Sequence, residues 1–337
     1  MAFATGPRNL LTDVGGLRVG NATDERVKSG VTAILCDVPA VASVQVLGGA
    51  PGTRETDLLE PHNSVETVNA IVLSGGSAFG LDAASGVQAA LRERGVGFEV
   101  GGFIVPIVPA AILFDLRNGG DKDWGRYPPY RELGYQATQD ASEAFDIGTV
   151  GAGTGALTSG LKGGLGSASV RLDNGVTIGA LAAANPTGSV TLGRSRHFWA
   201  APFEIGNEFG GLGYPAELPE DTSRVLLKYR DKSVGANTTI AVIATDAVLS
   251  KAAAKRLAMA AHDGFARAIW PAHTPADGDL VFSLATGTSG VAPAADEAID
   301  LYAVAGAVMA RAIARAAYAA TPAPADLFPT WAQKFGR

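Results

Sequence analysis

An Asn-Thr pair at the entrance to an apolar segment is where the residue types of this chain could support covalent chemistry. Asn237 and Thr238 lead directly into the strand-like run of residues 240–244. An internal threonine has no base of its own, whereas a threonine at a chain terminus carries an α-amine with a pKa of about 7.7–8.0 that can accept the hydroxyl proton. Cleavage between Asn237 and Thr238 would therefore create a nucleophile. Taken alone, the pair equally fits a polar loop that enters a strand.

Two further polar residues lie in contexts that chemistry could use. Lys162 lies in the glycine-dense segment 148–166, where it is either a solvated loop lysine or a charge close to a reacting group. Asn185 follows the predicted strand 176–184 and precedes Pro186. Asn before Pro is common in turns, but a side-chain amide at a strand end is also a suitable donor to an oxyanion.

The elements that must position these residues follow from hydrophobic periodicity. Strand-like runs alternate with helical ones, and Asn174-Gly175 forms a hairpin turn between two strands. Residues 9–20 read as two strands around a Gly-Gly turn, and Ser250 is a plausible N-cap of a helix that ends near residue 269. With no internal repeat and no linker, residues 1–337 are predicted to form one domain. The remaining predicted strands are 31–35, 42–47, 68–73, 167–171 and 280–284, and a further helix is predicted over 81–94.

A glycine-rich turn, Ser74-Gly75-Gly76-Ser77-Ala78-Phe79-Gly80, joins strand 68–73 to helix 81–94. A turn of this kind can bind phosphate because free N–H groups at a helix start attract anions. The segment has neither the dinucleotide fingerprint nor a Walker lysine, so close backbone packing accounts for its glycines. No nucleotide, other cofactor or metal is predicted.

Composition excludes several classes of function. Charged residues are 18% and hydrophobic residues 47% of 337, with 43 glycines, which is typical of a compact α/β enzyme. The net charge of −6 argues against nucleic acid as a partner. The apolar segment 298–320 is interrupted by Asp300, Arg311 and Arg315, which favours a buried or interface helix over a membrane span.

The start of the chain and its cysteine content indicate the compartment. The first residues lack a charged segment followed by an apolar one, so no signal peptide is predicted. The single cysteine, Cys36, cannot form an internal disulfide and lies in an apolar run, which predicts an inert core thiol. A cytoplasmic protein is expected.

An ordered set of motifs resembles the self-processing L-aminopeptidase D-amidase/esterase family, which includes the β-peptidyl aminopeptidases and the nylon-oligomer hydrolases. The resemblance spans essentially the whole chain, and its order is more specific than any single motif. The matching motifs are the opening segment 11–20, the Ser74-Gly75-Gly76-Ser77 turn, Lys162 in its glycine-rich loop, Asn185-Pro186, Asn237-Thr238-Thr239-Ile240 through Thr245-Asp246, and His273-Thr274-x-x-Asp277-Gly278-Asp279.

The resemblance implies a four-layer αββα sandwich of the N-terminal-nucleophile-hydrolase type. It makes Asn237–Thr238 the autocleavage bond, giving an α chain of residues 1–237 and a β chain of residues 238–337 that stay associated. Thr238 takes the position of the nucleophile. It also implies a homo-oligomer of αβ units.

Four further residues acquire roles from the resemblance. Asp277 and Asp279 match the acidic pair that orients the threonine hydroxyl and α-amine, since two acceptors can hold an amine and tune its basicity. Asn185 matches the residue that stabilises the tetrahedral oxyanion. Lys162 matches a lysine close to the nucleophile, where its charge would lower the pKa of the amine and keep it a neutral base.

This chain differs from members of the family at two places. The aminopeptidases usually have a serine nucleophile and a Ser-x-Glu pair, so Thr238 and Asp277-Gly278-Asp279 are more similar to the nylon-oligomer hydrolases. Relatives carry tyrosine where this chain has Phe79, and a phenyl ring donates no hydrogen bond, which leaves Phe79 the role of shaping the substrate pocket.

The expected activity is hydrolysis of peptide or amide bonds through an acyl-enzyme. Substrates left open are β-peptides, D-amino-acid amides, α-peptides and synthetic amide oligomers, because the loops that select among them, such as residues 115–130, cannot be placed. Two alternatives remain, an acyltransferase of the ornithine-acetyltransferase type and an uncleaved binding protein without catalysis.

Overall fold

A computed structural model describes residues 4–232 and 237–336. The strands are β1 (Leu17–Asp24), β2 (Ser29–Val46), β3 (Thr53–Arg54), β4 (Thr67–Ser74), β5 (Phe98–Val100), β6 (Phe103–Val105), β7 (Ala110–Ile112), β8 (Leu157–Thr158), β9 (Leu161–Lys162), β10 (Gly164–Arg171), β11 (Thr177–Ala184), β12 (Ile240–Thr245) and β13 (Leu280–Ala285). The α-helices are α1 (Ala83–Glu93), α2 (Tyr130–Gln139), α3 (Lys228–Lys232), α4 (Lys251–Ala268), α5 (Ala295–Tyr318) and α6 (Trp331–Phe335). Short 3-10 helices cover Leu11–Asp13, Asp57–Leu59, Ser77–Asp82, Gly151–Gly153 and Ala201–Phe203.

Nine strands form one hydrogen-bonded sheet in the order β10-β11-β12-β13-β2-β4-β7-β3, with β1 also paired to β2. Neighbouring strands are antiparallel except for β12 with β13 and β4 with β7, which are parallel. Two small hairpins, β5–β6 and β8–β9, lie outside this sheet.

Strand β2 links the two halves of the sheet. It pairs with β1 and β4 near its start and with β13 near its end, and its register against β4 shifts between Leu35 and Ala40. Pro39 lies in this irregular part, which is where a strand tolerates a residue without an N–H. The two strands predicted over 31–35 and 42–47 are therefore one continuous strand, and the proline interrupts its pairing rather than the strand.

The described part of the chain has four layers of secondary structure, and a large apolar cluster fills each of the three interfaces between them. On β12, Ile240 and Val242 belong to a central cluster, whereas Ala241 and Ile243 belong to an outer cluster with α4 and α5. The same alternation on the other half gives Ile34 to the central cluster and Ala33 to a second outer cluster that includes residues of α1 and α2. Because successive strand residues face opposite sides, the central cluster is the interface of two sheet layers. The predicted αββα sandwich is confirmed.

Side-chain hydrogen bonds to nearby backbone groups explain why one predicted helix begins where expected and why one predicted strand is a 3-10 helix instead. The Ser250 hydroxyl accepts a hydrogen bond of 3.2 Å from the Ala253 N–H, which caps α4 as predicted. Residues 9–14 were expected to be extended, but Leu11–Asp13 is a 3-10 helix. The Asp13 carboxylate accepts from the N–H groups of Arg8 and Leu10, and such local bonds compete with strand pairing.

The alanine-rich helix α5 is buried rather than membrane-spanning. Its Arg311 is 1% exposed and forms an ion pair with Glu208. Over the described ranges, no helix combines the length and the apolar character that crossing a bilayer requires.

Candidate active site

The loops that precede β12 and β13 lie side by side. These two strands are parallel neighbours with Ile240 opposite Leu280, so the residues just before each strand meet at the same sheet edge. Asn237 forms an isolated parallel bridge with Asp277. The structure thus brings the predicted cleavage bond next to the predicted acidic pair, although about 40 residues of helix and loop separate them in sequence.

The Thr238 side chain is buried against its own preceding carbonyl. Its Oγ1 donates a hydrogen bond to the Asn237 carbonyl oxygen. The Gly278 N–H donates to both of these oxygens, at 3.2 Å to Thr238 Oγ1 and 3.1 Å to the Asn237 oxygen. The Thr238 N–H donates to the Asn185 carbonyl oxygen at 3.0 Å. The hydroxyl, the peptide carbonyl and one backbone donor therefore form one hydrogen-bonded group.

The approach of Gly278 depends on the absence of a side chain. A Cβ at this position would lie 2.5 Å from the Ala50 carbonyl oxygen and 2.8 Å from Thr238 Oγ1. The loop that follows β2 packs against the same backbone, where the Ala50 N–H donates to the Asp277 carbonyl at 2.8 Å and the Gly48 N–H donates to the Asp279 carbonyl at 3.0 Å. Glycine is required here for packing at contact distance.

Asp277 is fully buried and is held by backbone and hydroxyl donors. Its Oδ1 accepts from the Thr187 N–H at 2.9 Å, and its Oδ2 accepts from the Thr274 N–H at 3.3 Å and from the Thr274 hydroxyl. Burial raises the pKa of Asp277, and the charge of neighbouring Asp279 raises it further. Both effects favour the protonated form of this carboxyl relative to that of an exposed aspartate.

Asp279 is also fully buried, and its two oxygens face different elements. Oδ1 accepts from the Thr239 N–H at 2.8 Å, which ties it to the residue after the predicted nucleophile. Oδ2 bonds both the backbone N–H of His273, at 3.0 Å, and the Nδ1 atom of its ring, at 2.9 Å. Sequence reasoning missed His273 as a partner of this carboxylate, although it lies in the matched motif.

Asn185 contributes both its backbone and its side chain. Its Oδ1 accepts from the Leu157 N–H at 2.9 Å and from Lys228 Nζ at 2.8 Å, and its Nδ2 donates to the Phe114 carbonyl at 3.0 Å. These partners fix the orientation of the amide. The amide nitrogen carries two N–H groups, of which one bonds the Phe114 carbonyl. The predicted role of Asn185 in stabilising an oxyanion requires the other N–H as the donor.

Lys228 is, after His273, a second residue of the site that the sequence did not indicate. It is 1% exposed, and its Nζ donates to the Leu157 carbonyl at 2.8 Å, to the Asn185 carbonyl at 3.0 Å and to Asn185 Oδ1. Burial lowers the pKa of Lys228 to about 7, against the opposite influence of Asp277 and Asp279. Its position directly after Leu226-Leu227 is the one sequence signal of burial.

Lys162 is buried but lies in another contact. Its Nζ donates to both carboxylate oxygens of Asp326, at 3.0 and 2.8 Å, and Lys28 Nζ bonds the same carboxylate at 2.6 Å. Burial lowers the pKa of Lys162, while the Asp326 carboxylate acts in the opposite direction. The structure thus gives Lys162 an ion-pair partner. The described hydrogen bonds of Thr238 run to Asn237, Gly278 and Asn185 rather than to Lys162, so the catalytic role of Lys162 stays a prediction.

Phe79 lies at an aromatic surface group. Its ring is 52% exposed and meets Trp124 edge to face at a centroid distance of 5.5 Å, and Trp124 in turn meets Tyr130 at 6.1 Å.

Burial raises the pKa of Cys36 to about 12, which keeps this thiol protonated. Among residues 4–232 and 237–336, no three His, Cys, Asp or Glu side chains group closely enough to suggest a metal site.

Comparisons with known sequences find similar proteins. Residues 9–326 match the model of peptidase family S58. The chain is 43% identical over 346 residues to an uncharacterized aminopeptidase of Mycobacterium bovis, covering 95% of this chain and 98% of that one. It is 30% identical over 291 residues to the 6-aminohexanoate-oligomer endohydrolase of Kocuria sp. strain KY2, covering 84% and 76%.

Solved structures share the fold. A β-aminopeptidase of Burkholderia sp. superposes with a TM-score of 0.74 at 22% identity, over 100% of this chain and 97% of that one. The L-aminopeptidase D-Ala-esterase/amidase of Ochrobactrum anthropi, described as a variant of the N-terminal-nucleophile hydrolase fold, gives a TM-score of 0.70 at 22% identity over the same shares.

Proposed function

Because the chain belongs to peptidase family S58 and is an amide-bond hydrolase, we propose that it is made as a precursor, cleaves itself between Asn237 and Thr238, and then uses Thr238 as an N-terminal nucleophile. The α chain would comprise residues 1–237 and the β chain residues 238–337.

The observation that carries this proposal is the hydrogen-bonded group at the scissile bond. Thr238 Oγ1 contacts the carbonyl oxygen of the bond to be cut, and the Gly278 N–H donates to both oxygens. A backbone donor on a carbonyl oxygen stabilises the negative charge that develops there when the carbon is attacked. These contacts support the proposal of an acyl shift from nitrogen to oxygen.

The proposed self-cleavage is an acyl shift from the Thr238 nitrogen to its Oγ1, followed by hydrolysis of the ester. Thr238 Oγ1 loses its proton and bonds the Asn237 carbonyl carbon, the C–N bond breaks, and the Thr238 nitrogen takes the proton. Water then hydrolyses the ester, leaving a carboxylate on Asn237 and a free amine and hydroxyl on Thr238.

Burial of the Asn237 side chain is a second feature that would destabilise the folded precursor relative to the cleaved protein. Both polar atoms of its amide are buried, and none of the described residues bonds them. A buried polar group without a partner costs about 1–3 kcal/mol. Cleavage would free Asn237 to leave this position, which favours the cut product.

After cleavage the Thr238 amine would act as the base. It would take the hydroxyl proton as Thr238 attacks a substrate carbonyl, then pass it to the leaving amine, and water would release the acyl group. Asp277 and Asp279 would hold the amine and hydroxyl, and the second side-chain N–H of Asn185 would bind the oxyanion. Lys162 keeps its predicted role as a charge that lowers the pKa of the amine.

Lys228 is a further candidate for that electrostatic role. Its Nζ and the Thr238 nitrogen donate to the same Asn185 oxygen at 3.0 Å each, so they lie within about 6 Å of one another. A positive charge at that range disfavours protonation of the amine and keeps it a base.

The substrates we propose are short amides with a free amino terminus, in keeping with the aminopeptidase relatives, and Phe79 would line their binding site. The 6-aminohexanoate-oligomer relative makes linear synthetic amides the second class to assay. Hydrolysis of a panel of β-peptide, D-amino-acid, α-peptide and oligoamide substrates would separate these classes.

Denaturing electrophoresis with intact-mass measurement tests self-cleavage. The wild-type protein should give two fragments whose masses match residues 1–237 and 238–337, and Thr238→Ala should give one intact chain without amidase activity. Thr238→Ser should still split because it keeps the hydroxyl.

Thr239→Ala is the matched control. Its hydroxyl is buried beside the same bond and bonds none of the described residues, so the variant should split normally. A wild-type chain that stays whole, or a Thr238→Ala chain that splits, would reject the proposal in favour of an uncleaved binding protein. Formation of acylated amines when amine acceptors are added would instead indicate an acyltransferase.

Homo-oligomerisation of αβ units and a cytoplasmic location remain predictions from the sequence. Size-exclusion chromatography with light scattering would measure the first, and cell fractionation the second.

A further inference from the structure

A series of hydrogen bonds leads from Asp279 away from the active site through two histidines. His273 Nδ1 lies 2.9 Å from Asp279 Oδ2, His273 Nε2 lies 3.2 Å from His262 Nδ1, and His262 Nε2 lies 2.9 Å from the Gln45 carbonyl oxygen. The Phe265 ring packs against both imidazoles, at centroid distances of 5.1 and 5.2 Å.

The far end of the series determines where the protons lie. A carbonyl oxygen only accepts hydrogen bonds, so His262 must carry its proton on Nε2. Burial lowers the pKa of His262 to about 4, so the ring is neutral near pH 7 and its Nδ1 is an acceptor. His273 must therefore donate to it from Nε2.

One proton is left for the bond between His273 Nδ1 and Asp279. Asp279 Oδ2 also accepts the backbone N–H of His273, and Oδ1 accepts that of Thr239. Donors to both oxygens favour the ionised carboxylate. This pattern of hydrogen bonds is satisfied when the proton lies on His273, whose two ring nitrogens then both donate.

We propose that His273 is a positioning residue that holds Asp279 as an ionised acceptor in the active site, and that His262 fixes the tautomer His273 must adopt. The proposal rests on the proposed function for the role of Asp279, but the protonation it assigns can be measured without any assay.

The charges around the pair explain why an imidazolium is useful there. Asp277 lies beside Asp279, and Lys228 acts on both carboxylates. Asp263 acts on His262 from the surface of α4. Since two adjacent buried carboxylates repel one another, a cation bonded directly to one of them lowers the cost of ionising both.

His273→Asn is the variant that removes this charge with the least disturbance. His273 has a φ of 53°, a left-handed conformation that asparagine adopts more readily than most residues. Its backbone N–H would continue to bond Asp279. We expect kcat/KM to fall by about 10–100-fold and the acid limb of its pH profile to move up by about one pH unit, with KM little changed.

His262→Asn and His62→Asn complete the set. His262→Asn should shift the profile in the same direction by a smaller amount, since Asp279 keeps its imidazole. His62 is exposed and is not a member of the hydrogen-bonded series, so His62→Asn should match wild type.

Nitrogen-15 NMR of histidine-labelled wild-type protein provides the independent readout. At the pH of maximal activity, one residue should show two protonated ring nitrogens and be lost in His273→Asn, and another should show the neutral Nε2–H form and be lost in His262→Asn. A neutral His273, or an unchanged pH profile in a folded His273→Asn, would overturn the proposal.

The two proposals fail differently. Full activity of Asp279→Asn would reject the role of Asp279 in the proposed function, and the NMR spectrum would still support or reject the protonation assigned to His273. If His273→Asn does not fold, the wild-type spectrum and His262→Asn still decide the matter.

Discussion

Lys228 Nζ lies 3.0 Å from the carbonyl oxygen of Asn185, the oxygen that also accepts the Thr238 N–H. A buried lysine and the nitrogen that we propose as the catalytic amine therefore share one acceptor. The other acceptors of Lys228 are also neutral oxygens, so the interior satisfies its hydrogen bonds without neutralising its charge.

Lys228→Met should change how stability depends on pH. Burial lowers the pKa of Lys228 from 10.5 to about 7. Between these values the unfolded chain binds the proton and the folded one does not, so the folded state gains stability as pH rises through this window, by about 1.4 kcal/mol per unit of pKa shift. Methionine abolishes this gain. The unfolding free energy of the variant, measured by urea titration, should fall further below that of wild type at pH 9.5 than at pH 6. An equal difference at both values would contradict the assigned pKa direction.

Asp326→Asn should destabilise the protein by about 3–5 kcal/mol because it leaves two buried lysines without their carboxylate. Burial acts to raise the pKa of Asp326, but hydrogen bonds from Lys162 and Lys28 outweigh it and lower the pKa below the ordinary 3.8. A carboxylate with a lowered pKa stabilises the folded state above its unfolded pKa, and this contribution is lost as pH falls through the folded pKa. The difference from wild type, measured by denaturant titration, should therefore shrink below about pH 4.

Lys162→Met separates the ion pair from the predicted catalytic role. Both this variant and Asp326→Asn break the same contact, but only Lys162→Met removes the charge assigned to catalysis. We expect its kcat, measured well below the melting temperature, to fall at least about tenfold further than that of Asp326→Asn. Equal kcat values in the two variants would assign Lys162 to structure alone.

Gly278→Ala should block self-cleavage. Its Cβ would clash with the Ala50 carbonyl and with Thr238 Oγ1, so the acidic loop must move away from the nucleophile. We expect a loss of about 1–3 kcal/mol in unfolding free energy and an uncut chain on denaturing gels. Gly15→Ala is the control, since its Cβ meets first the end of the exposed Thr288 side chain at 3.0 Å. Normal processing of Gly278→Ala would remove the backbone donor from the mechanism.

Phe79 substitutions test whether the ring binds substrate or takes part in chemistry. Phe79→Ala should raise KM by about 3–10-fold and leave kcat nearly unchanged, because it removes exposed aromatic area beside Trp124. Phe79→Tyr should leave kcat within about threefold of wild type. A large gain of kcat in Phe79→Tyr would show that the missing hydroxyl limits catalysis, as steady-state kinetics on one amide substrate can measure.

Much of the candidate site follows from local sequence. Thr238 lies two residues before strand β12, and Asn185 directly follows strand β11. Apolar runs predicted β12 and β13, and once these strands pair in parallel, the loops before them must meet. The αββα fold and the membership of an amide-hydrolase family were accordingly reached from ordered motifs and are confirmed.

Other features had no local signature. Nothing next to Pro39 in sequence indicates that β2 continues through it, because the pairing that supports it comes from β4 and β13. By sequence Lys162 fits an ordinary loop lysine and Lys228 has no assigned role, and only the fold gives the first Asp326 and the second Asn185 as its partner.

The sequence by itself determined the residue types that can perform the chemistry, Thr238 with a carboxylate pair and an amide, because their order and strand contexts are local properties. Tertiary structure alone decided their electrostatic surroundings. Burial and partners contributed by distant segments place an imidazole on Asp279 and a lysine of lowered pKa beside Thr238, and such effects depend on distances in space that residue spacing along a chain does not encode.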